Sequence, residues 1–246
     1  MLTIGILVVA GLVAGVVGTA GGITSLVAYP ALLAVGLPPF AANVTNSVAL
    51  IGSGASSAFR ARTVLRDRPV TIHRWMPLTV GASLCGAVLL VATPASLFDR
   101  IVPFLVLAGG ALVLAQPLLD RRRRGARTRP GIVLPSVAGV GLYNGYFGAG
   151  SGVLMIAVLL LTGEPSLPRA NAVKNVLLVA ADLLPAVVFA VSGHVVWSAA
   201  LALGAGAVVG GLIGPTIAQR VPHGVLRVAI AVCSLVLAVD LFVTVG

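Results

Sequence analysis

The chain is interrupted near its start by a glycine-rich stretch, Gly11-Leu-Val-Ala-Gly15-Val-Val-Gly18-Thr-Ala-Gly21-Gly22. The same spacing returns in Asn144-Gly145-Tyr-Phe-Gly148-Ala-Gly150-Ser-Gly152, with an offset of 130 residues (15 to 145). A Pro-rich break then leads to Asn43-Val-Thr45-Asn46, and its counterpart is Asn171-Ala-Val-Lys174-Asn175. The pattern therefore predicts two copies of one unit, each with a glycine-rich break inside apolar sequence.

The composition around these breaks is that of a membrane protein. Residues 1–59 contain no Asp, Glu, Lys or Arg, and hydrophobic residues make up 59% of the chain. The mean hydropathy is +1.11. A membrane-spanning helix needs about 20 apolar residues, whereas barrel strands alternate apolar and polar side chains. We therefore expect an all-α polytopic membrane protein, and we expect its first apolar segment to remain as a helix because no basic residue precedes it.

The formal net charge of +10 comes mainly from two arginine-rich connectors. Arginines beside membrane spans remain in the cytoplasm, so we expect both connectors to be cytoplasmic and both termini external, in a plasma (inner) membrane. Neither connector is long enough to fold as a nucleic-acid-binding domain, so we expect contact with anionic lipid headgroups and none with nucleic acid. The sequence leaves the oligomeric state open. The connector arginines are Arg60, Arg62, Arg66, Arg68 and Arg74, then Arg121 to Arg124, Arg127 and Arg129.

The apolar runs predict ten helices in two repeats. A first repeat occupies residues 1–119, an Arg-rich connector 120–131, and a second repeat 132–246. The predicted helices cover 2–17, 22–36, 41–59, 75–93 and 100–119, then 132–147, 152–163, 170–192, 195–214 and 224–245. Segments 22–36 and 152–163 are short, and twelve residues cover only about 18 Å of a hydrocarbon core about 30 Å thick. They are expected to be half-helices or re-entrant arms, which leaves eight to ten membrane segments.

An odd number of crossings per repeat would invert the second copy relative to the first. Inverted repeats of about four to five helices, with broken helices and a binding site between them, are typical of secondary transporters. Non-helical backbone at membrane depth persists only where it is buried in protein or lines a cavity. A helix that begins at Gly22 or Gly152 would present free N–H groups and a positive dipole to an anion. The alternative is helix packing through small residues, which we expect of Gly204, Gly206, Gly210 and Gly211.

Polar side chains form a stripe on the predicted helix 170–192. Asn171, Asn175 and Asp182 fall within about 40° of one face of that helix. In the first repeat, Asn46, Ser53 and Ser57 make the matching stripe. Such polar groups beside the glycine breaks are candidates for holding a substrate.

Two charged residues of the same helix are candidates for function. Lys174 is the only lysine in the chain, and its place near a glycine break favours contact with an anion over an interfacial position. Asp182 lies near mid-membrane, where a carboxyl group usually faces a cavity or a partner. It is either a proton-binding site that couples transport or part of a structural salt bridge with Lys174, and the sequence leaves both open.

The sequence predicts no catalytic residue, metal or cofactor. Cys85 and Cys233 fall inside apolar runs and have no metal-ligand spacing, which is typical of small core hydrophobes. A nucleophilic Ser151 would need a base, yet His73, His194 and His223 lie in a connector or at predicted span ends. Phosphate-loop motifs are also missing.

The motif Gly11-x-x-x-Gly15-x-x-Gly18-x-x-Gly21-Gly22, followed by Leu37-Pro38-Pro39 and Ala42-Asn43-Val-Thr45-Asn46, resembles the TauE/SafE family of sulfite exporters. The resemblance covers nearly the whole chain, although Ser151 replaces a glycine in the second copy. It implies an inner-membrane permease of about eight spans for sulfite, sulfonates or other small anions. It also implies a substrate-binding role for Gly18, Gly21, Gly22, Asn43, Thr45 and Asn46, and by internal match for Gly148, Gly150, Gly152, Asn171, Lys174 and Asn175.

Together these patterns predict a secondary transporter of a small sulfur-containing or organic anion, with Asp182 as the candidate for proton coupling. The first alternative is an uncoupled anion channel or facilitator. A third possibility is an intramembrane enzyme built on Ser151.

Overall fold

A computed structural model describes residues 2–21, 23–61, 64–65, 70–122, 130–162, 164, 166–218 and 223–245. These residues form eleven helices and no strand. The helices are α1 (Leu2–Gly21), α2 (Ser25–Ala34), α3 (Pro39–Ala49), α4 (Ile51–Ala61), α5 (Val70–Ala92), α6 (Ala95–Arg122), α7 (Pro130–Tyr146), α8 (Ser151–Leu161), α9 (Leu167–Val191), α10 (Trp197–Ala218) and α11 (His223–Val245).

Four of the described helices are long and apolar enough to cross a membrane. They contain the segments Ile72–Ala92, Ala95–Ala115, Leu167–Val191 and Trp197–Gly214. Shorter apolar stretches lie in α1, α2, α8 and α11. The prediction of a helical, multi-pass membrane protein is confirmed.

The glycine-rich breaks differ in detail from the prediction. α1 continues to Gly21, so Gly18 and Gly21 are helical, and α2 begins at Ser25. Gly22 lies outside the described residues. In the second copy α8 begins at Ser151, one residue before the predicted start at Gly152. α2 and α8 have 10 and 11 residues, which corresponds to about 15–17 Å, or half of the hydrocarbon core.

Other boundaries differ from the prediction as well. The predicted helix 41–59 is divided into α3 and α4 at Leu50, whose backbone turns away from helical geometry (ψ −5°). Hydrogen bonds from Leu50 N to Asn46 O and from Gly54 N to Leu50 O carry the chain across the break. α4 extends to Ala61 and so includes Arg60, while α5 begins at Val70 and includes Arg74. Apolarity marks the extent of a membrane span, not of the helix, so a helix that continues beyond the apolar run is missed.

α1 packs against α10 through glycines. A side chain on Gly11 or Gly15 would collide with the backbone of α10, near Leu203 and Ala207 respectively. In return, side chains on Gly206 and Gly210 would collide with the backbone of α1, near Val8 and Leu12. Residue numbers rise together along the contact, so the two helices run parallel.

α5 and α7 form a second parallel pair of the same kind. A side chain on Gly141 would meet the backbone of Thr79, and one on Gly145 would meet the carbonyl of Ser83, so residue numbers again rise together along the contact. Gly15 and Gly145, which correspond in the two repeats, are thus both packing residues. Gly204 and Gly211 face neighbouring helices as well, towards Ala49 and Ser56 respectively.

Two contacts relate α3 and α4 to the ends of α10. The amide of Val196, just before α10, donates to Thr45 Oγ1 over 3.0 Å. Arg60 near the end of α4 donates to the carbonyl of Leu212 over 3.0 Å. The α3–α4 segment therefore runs alongside α10 in the same direction, and Arg60 lies at the opposite end of the bundle from His194 and Val196.

Candidate functional site

A cavity of about 110 Å³ lies where the half-helices α2 and α8 meet α1, α3, α4, α7 and α9. Its lining combines hydroxyl, amide and charged side chains with apolar ones. The lining residues are Gly18, Thr24, Ser25, Ser47, Leu50, Ser53, Gly54, Ser57, Asn144, Phe147, Gly148, Ser151, Gly152, Lys174, Asn175, Leu178, Val179 and Asp182.

Both half-helices begin at this cavity. Thr24 and Ser25, at the start of α2, contribute to the lining, as do Ser151 and Gly152 at the start of α8. Among the described residues, no backbone acceptor receives a hydrogen bond from the Gly152 amide. Helix N-termini carry partial positive charge and favour anions.

The turn between α7 and α8 requires glycine at two positions. Gly148 and Gly150 have φ values of 78° and 83°, in the left-handed region that side chains with a Cβ rarely adopt. Tyr143 Oη donates to the carbonyl of Ala149 over 2.7 Å, which braces the turn from within. These glycines allow the chain to reverse at the cavity and aim the start of α8 into it.

Lys174 is a buried cation at the cavity wall. Its side chain is 3% exposed, and within the described part of the chain it makes no ion pair or hydrogen bond. Buried charges in proteins are usually paired, so the ammonium group is available to a bound anion. The salt bridge with Asp182 considered from the sequence is not formed among the described residues.

Asn144 connects three other helices at the cavity. Its Nδ2 donates to Asp182 Oδ1 over 2.6 Å, and Ser83 Oγ of α5 lies 3.4 Å from the same nitrogen. The hydroxyl of Ser151 donates to Asn144 Oδ1 over 2.6 Å. Asn144 therefore holds the Asp182 carboxyl on one side and the start of α8 on the other. A nucleophilic serine needs a base beside its hydroxyl group, but the hydroxyl of Ser151 donates to the amide of Asn144.

Several of the predicted site residues are brought together here. Gly18, Gly148, Gly152, Lys174, Asn175 and Asp182 all line the cavity. Ser53 and Ser57 of the matching first-repeat stripe also line it, at 4% and 8% exposure. Among the described lining residues, the basic side chain is Lys174 and the acidic one is Asp182, whose carboxyl accepts a hydrogen bond from Asn144.

Other predicted residues lie behind the cavity wall. Asn43 is buried and donates to the carbonyl of Tyr146 over 3.0 Å, while Thr45 accepts from Val196. Asn46 is also buried and does not line the cavity. The Oδ1 atoms of Asn43 and Asn46 are both enclosed and have no hydrogen-bond partner among the described residues. Gly150 and Asn171 also do not border the cavity, and the surroundings of Gly21 lie outside what the structure describes.

Sequence reasoning missed Thr24, Ser25, Ser47, Gly54, Asn144, Phe147 and Ser151 as lining residues. Asn144 and Ser151 stand inside the second glycine-rich stretch, so their position was a usable signal. The comparison of the two repeats gives no signal at Asn144, because the corresponding residue of the first repeat, at an offset of 130, is the buried Ala14.

The profile of the family "Sulfite exporter TauE/SafE" matches residues 3–241. The chain belongs to the TauE/SafE family. Its relatives include a "Probable membrane transporter protein" of Haemophilus influenzae, 29% identical over 237 residues that cover 93% of this chain and 90% of the relative. They also include "Probable membrane transporter protein YfcA" of Escherichia coli, 27% identical over 249 residues that cover 98% and 90%. No solved structure matched the chain.

Some glycines of the TauE/SafE pattern, such as Gly15 and Gly145, pack helices together, whereas others, such as Gly18 and Gly152, border the cavity. Substitutions should distinguish the second kind by its effect on transport. We expect Gly152→Leu to abolish transport with membrane insertion retained, because the side chain would occupy the start of α8 at the cavity. Transport of a labelled anion, normalised to the amount of protein in the membrane, provides the measurement. The same loss is predicted from the sequence for Gly22→Leu.

Gly139→Leu on α7 is the matched control, since Gly139 is exposed and has open space at its Cβ position. Gly210→Leu would not discriminate, because Gly210 packs against the backbone of α1. Equal losses in Gly139→Leu and Gly152→Leu would mean that leucine harms these helices regardless of the cavity.

Proposed function

We propose that this TauE/SafE protein is a secondary transporter of a small anion, and that the cavity is its substrate site. The observation that carries the proposal is Lys174, a buried ammonium group at the cavity with no counter-ion among the described residues. Burying an unpaired charge is unfavourable by several kcal/mol, and a bound anion would offset that penalty. The start of α8 and the surrounding hydroxyl groups add further donors.

The dimensions of the cavity support a small substrate. At about 110 Å³ the cavity has room for several water molecules, or for one small oxyanion. We propose sulfite, a sulfonate or a related sulfur-containing or organic anion. The chain would use a gradient for active transport, and it would not act as an enzyme.

We propose further that the bundle consists of two inverted repeats. The support is that the first helix of each repeat packs in the same way against a helix of the other repeat: α1 packs parallel to α10, and α7 packs parallel to α5. α1 and α7 open the two repeats, and α5 and α10 are their corresponding later helices. α4 and α9, which correspond as well, meet each other where Gly54 faces Val179. In this arrangement α2 and α8, although short, each return the chain across the membrane, so every repeat makes five crossings with α3 and α4 counted as one.

The proposed orientation places the arginine-rich connectors in the cytoplasm and both termini outside the plasma membrane. Reporter fusions at Gly125 and after Gly246 should report opposite sides of the membrane, because a single α7-to-α11 repeat with an odd number of crossings separates them. The measurement is the activity of a reporter that works on one side only. Reporters on the same side would show that the number of crossings differs by an odd number.

Asp182 is proposed to couple anion movement to protons. It borders the same cavity as Lys174, and its carboxyl accepts a hydrogen bond from Asn144. A carboxyl that binds and releases a proton as the cavity changes its access would link the two movements. An uncoupled facilitator would use the same anion site without this step.

The proposal can be tested by a thermal-shift screen of the purified protein against sulfite, sulfate, thiosulfate, sulfonates and carboxylates. A ligand at 100 times its Kd stabilises the native state by about 2.7 kcal/mol, so the binding anion should raise the Tm measurably. We expect a shift with at least one small anion in the wild type and none in Lys174→Gln. Shifts of equal size in both proteins would overturn the proposed site.

A further inference from the structure

One wall of the cavity is a phenylalanine ring. Phe147 lines the cavity and is 2% exposed. It occupies the first position of the turn between α7 and α8, directly before Gly148. Among the described lining residues it is the single aromatic side chain, and the other apolar ones are Leu50, Leu178 and Val179.

This ring is held in place from several directions. Tyr29 of α2 meets it edge-on, with ring centroids 5.5 Å apart and an interplanar angle of 80°. Tyr143 and Phe98 lie 6.5 Å and 6.4 Å away. Ring pairs at such separations stabilise each other in edge-to-face or tilted geometry.

The neighbouring groups are themselves anchored. Tyr29 Oη donates to the carbonyl of Pro39 and Tyr143 Oη to that of Ala149. The side chain of Asn43 donates to the carbonyl of Tyr146, immediately before Phe147. Phe147 therefore cannot retreat from the cavity without disturbing contacts to α2, α3 and α6.

Behind Phe147 the rings continue to the end of the bundle. Phe98 is fully buried and meets Phe40 at 5.7 Å, and Phe40 meets the exposed His194 at 5.1 Å. We call Tyr29, Phe147, Phe98 and Phe40 the ring wall. It closes the cavity on the side opposite to Arg60, which donates to Leu212 at the other end of α10.

The corresponding positions of the other repeat are aliphatic. At an offset of 130, Phe147 corresponds to Val17 and Tyr29 to Leu159, and both of these are buried. Valine and leucine thus satisfy the packing of this position in one copy of the unit. Packing alone therefore does not account for the interlocked rings in the other copy.

Resting on the proposed transport function, we infer that Phe147 is a specificity-determining residue that sets the largest anion the cavity accepts. Lys174 and the start of α8 select for negative charge at the head of the anion, whereas the ring wall limits what is attached to it. Because the wall is interlocked, it does not move aside for a larger substituent. The accepted class is then a small anion, inorganic or with a short apolar substituent.

The test is transport of a homologous series from methanesulfonate to butanesulfonate in proteoliposomes. The charge of the head group is constant along the series and only the length changes. A single methylene changes discrimination in an apolar pocket by about 10-fold to 200-fold. We expect the wild-type rate to fall steeply with length, and Phe147→Ala to raise the butanesulfonate rate relative to methanesulfonate by about tenfold or more.

Phe189→Ala is the matched control, because Phe189 is 1% exposed but does not border the cavity. Its length profile should remain that of the wild type. Phe147→Leu, which preserves more of the packing, should give an intermediate profile and serves if the alanine variant does not fold. An unchanged profile in both Phe147 variants, or an equal change in Phe189→Ala, would overturn the inference.

The same experiments distinguish a failure of this inference from a failure of the proposed function. If the wild type transports methanesulfonate and the length profile does not depend on Phe147, only the size limit is wrong. If Lys174→Gln transports methanesulfonate as fast as the wild type, the anion site is wrong while the length profile still decides the role of Phe147. If the wild type transports no sulfonate of the series, both the sulfonate substrate and the size limit are overturned.

Discussion

Lys174→Gln should reduce anion binding and transport more than any other single substitution in the cavity. Glutamine is one atom shorter than lysine and keeps a hydrogen-bond donor, but it removes the one cation that the described residues place at the cavity. Loss of a buried charge from a charge-paired contact weakens binding by about 2–5 kcal/mol, which corresponds to ~30-fold to several thousand-fold in Kd. The measurement is the Kd of the anion identified by thermal shift, together with its uptake into proteoliposomes.

Arg169→Gln provides the matched control on the same helix. Arg169 lies in the first turn of α9 and pairs with Glu164 at 3.2 Å, away from the cavity. It should leave the Kd close to that of the wild type, because Arg169 does not border the cavity. A normal Kd in Lys174→Gln would remove the main support for the anion site.

Asp182→Asn should abolish pH-driven accumulation and spare anion binding. Asparagine has nearly the same shape, and its side-chain oxygen can still accept the hydrogen bond that Asn144 donates over 2.6 Å. It cannot bind or release a proton, so the anion would move only down its own gradient. The measurement is accumulation of anion in proteoliposomes under an imposed pH gradient, compared with exchange at equal pH on both sides.

Asp240→Asn is the appropriate comparison, since Asp240 is exposed near the end of α11. We expect it to accumulate anion as the wild type does. Accumulation with an unchanged pH dependence in Asp182→Asn would assign Asp182 a structural role and would leave uncoupled transport as the alternative.

The helical membrane class could be predicted from the sequence because it depends on local composition. Long apolar runs and the missing charges of residues 1–59 determine it residue by residue. The short helices α2 and α8 were predictable for the same reason, since Gly-rich and Pro-rich breaks limit both of them. Their starts moved by one to three residues, because a terminal turn is set by backbone contacts such as the one between Ser151 N and Gly148 O.

The composition of the site was only partly predictable. Asn175 and Asp182 share one face of a single helix, so periodicity brings them together. Lys174 lies about 80° from Asp182 around the helix, and Asn171 of the predicted face does not border the cavity. Asn43 and Thr45 belong to the matching polar motif of the first repeat, yet they form hydrogen bonds with Tyr146 and Val196, which are more than a hundred residues away. Helical periodicity indicates which residues share a face but not which partner that face meets.

The ring wall gave no sequence signal. Tyr29, Phe98 and Phe147 come from three distant segments, and single aromatic residues in apolar runs are most often ordinary core residues. Their contact depends on how α2, α6 and the α7–α8 turn pack together, which is tertiary information. Asn144 is a separate case, because the first repeat has Ala14 at the corresponding position and a comparison of the repeats therefore gives no signal there.

Counterflow in proteoliposomes tests most directly the claim that this TauE/SafE protein carries small anions. Vesicles with purified protein are loaded with an excess of unlabelled methanesulfonate or sulfite and diluted into a trace of the labelled anion. We expect a transient accumulation of label above its equilibrium level in the wild type, and the loss of this overshoot in Lys174→Gln. Label that only equilibrates, without an overshoot, would indicate a pore, and an equal overshoot in Lys174→Gln would contradict the proposed anion site.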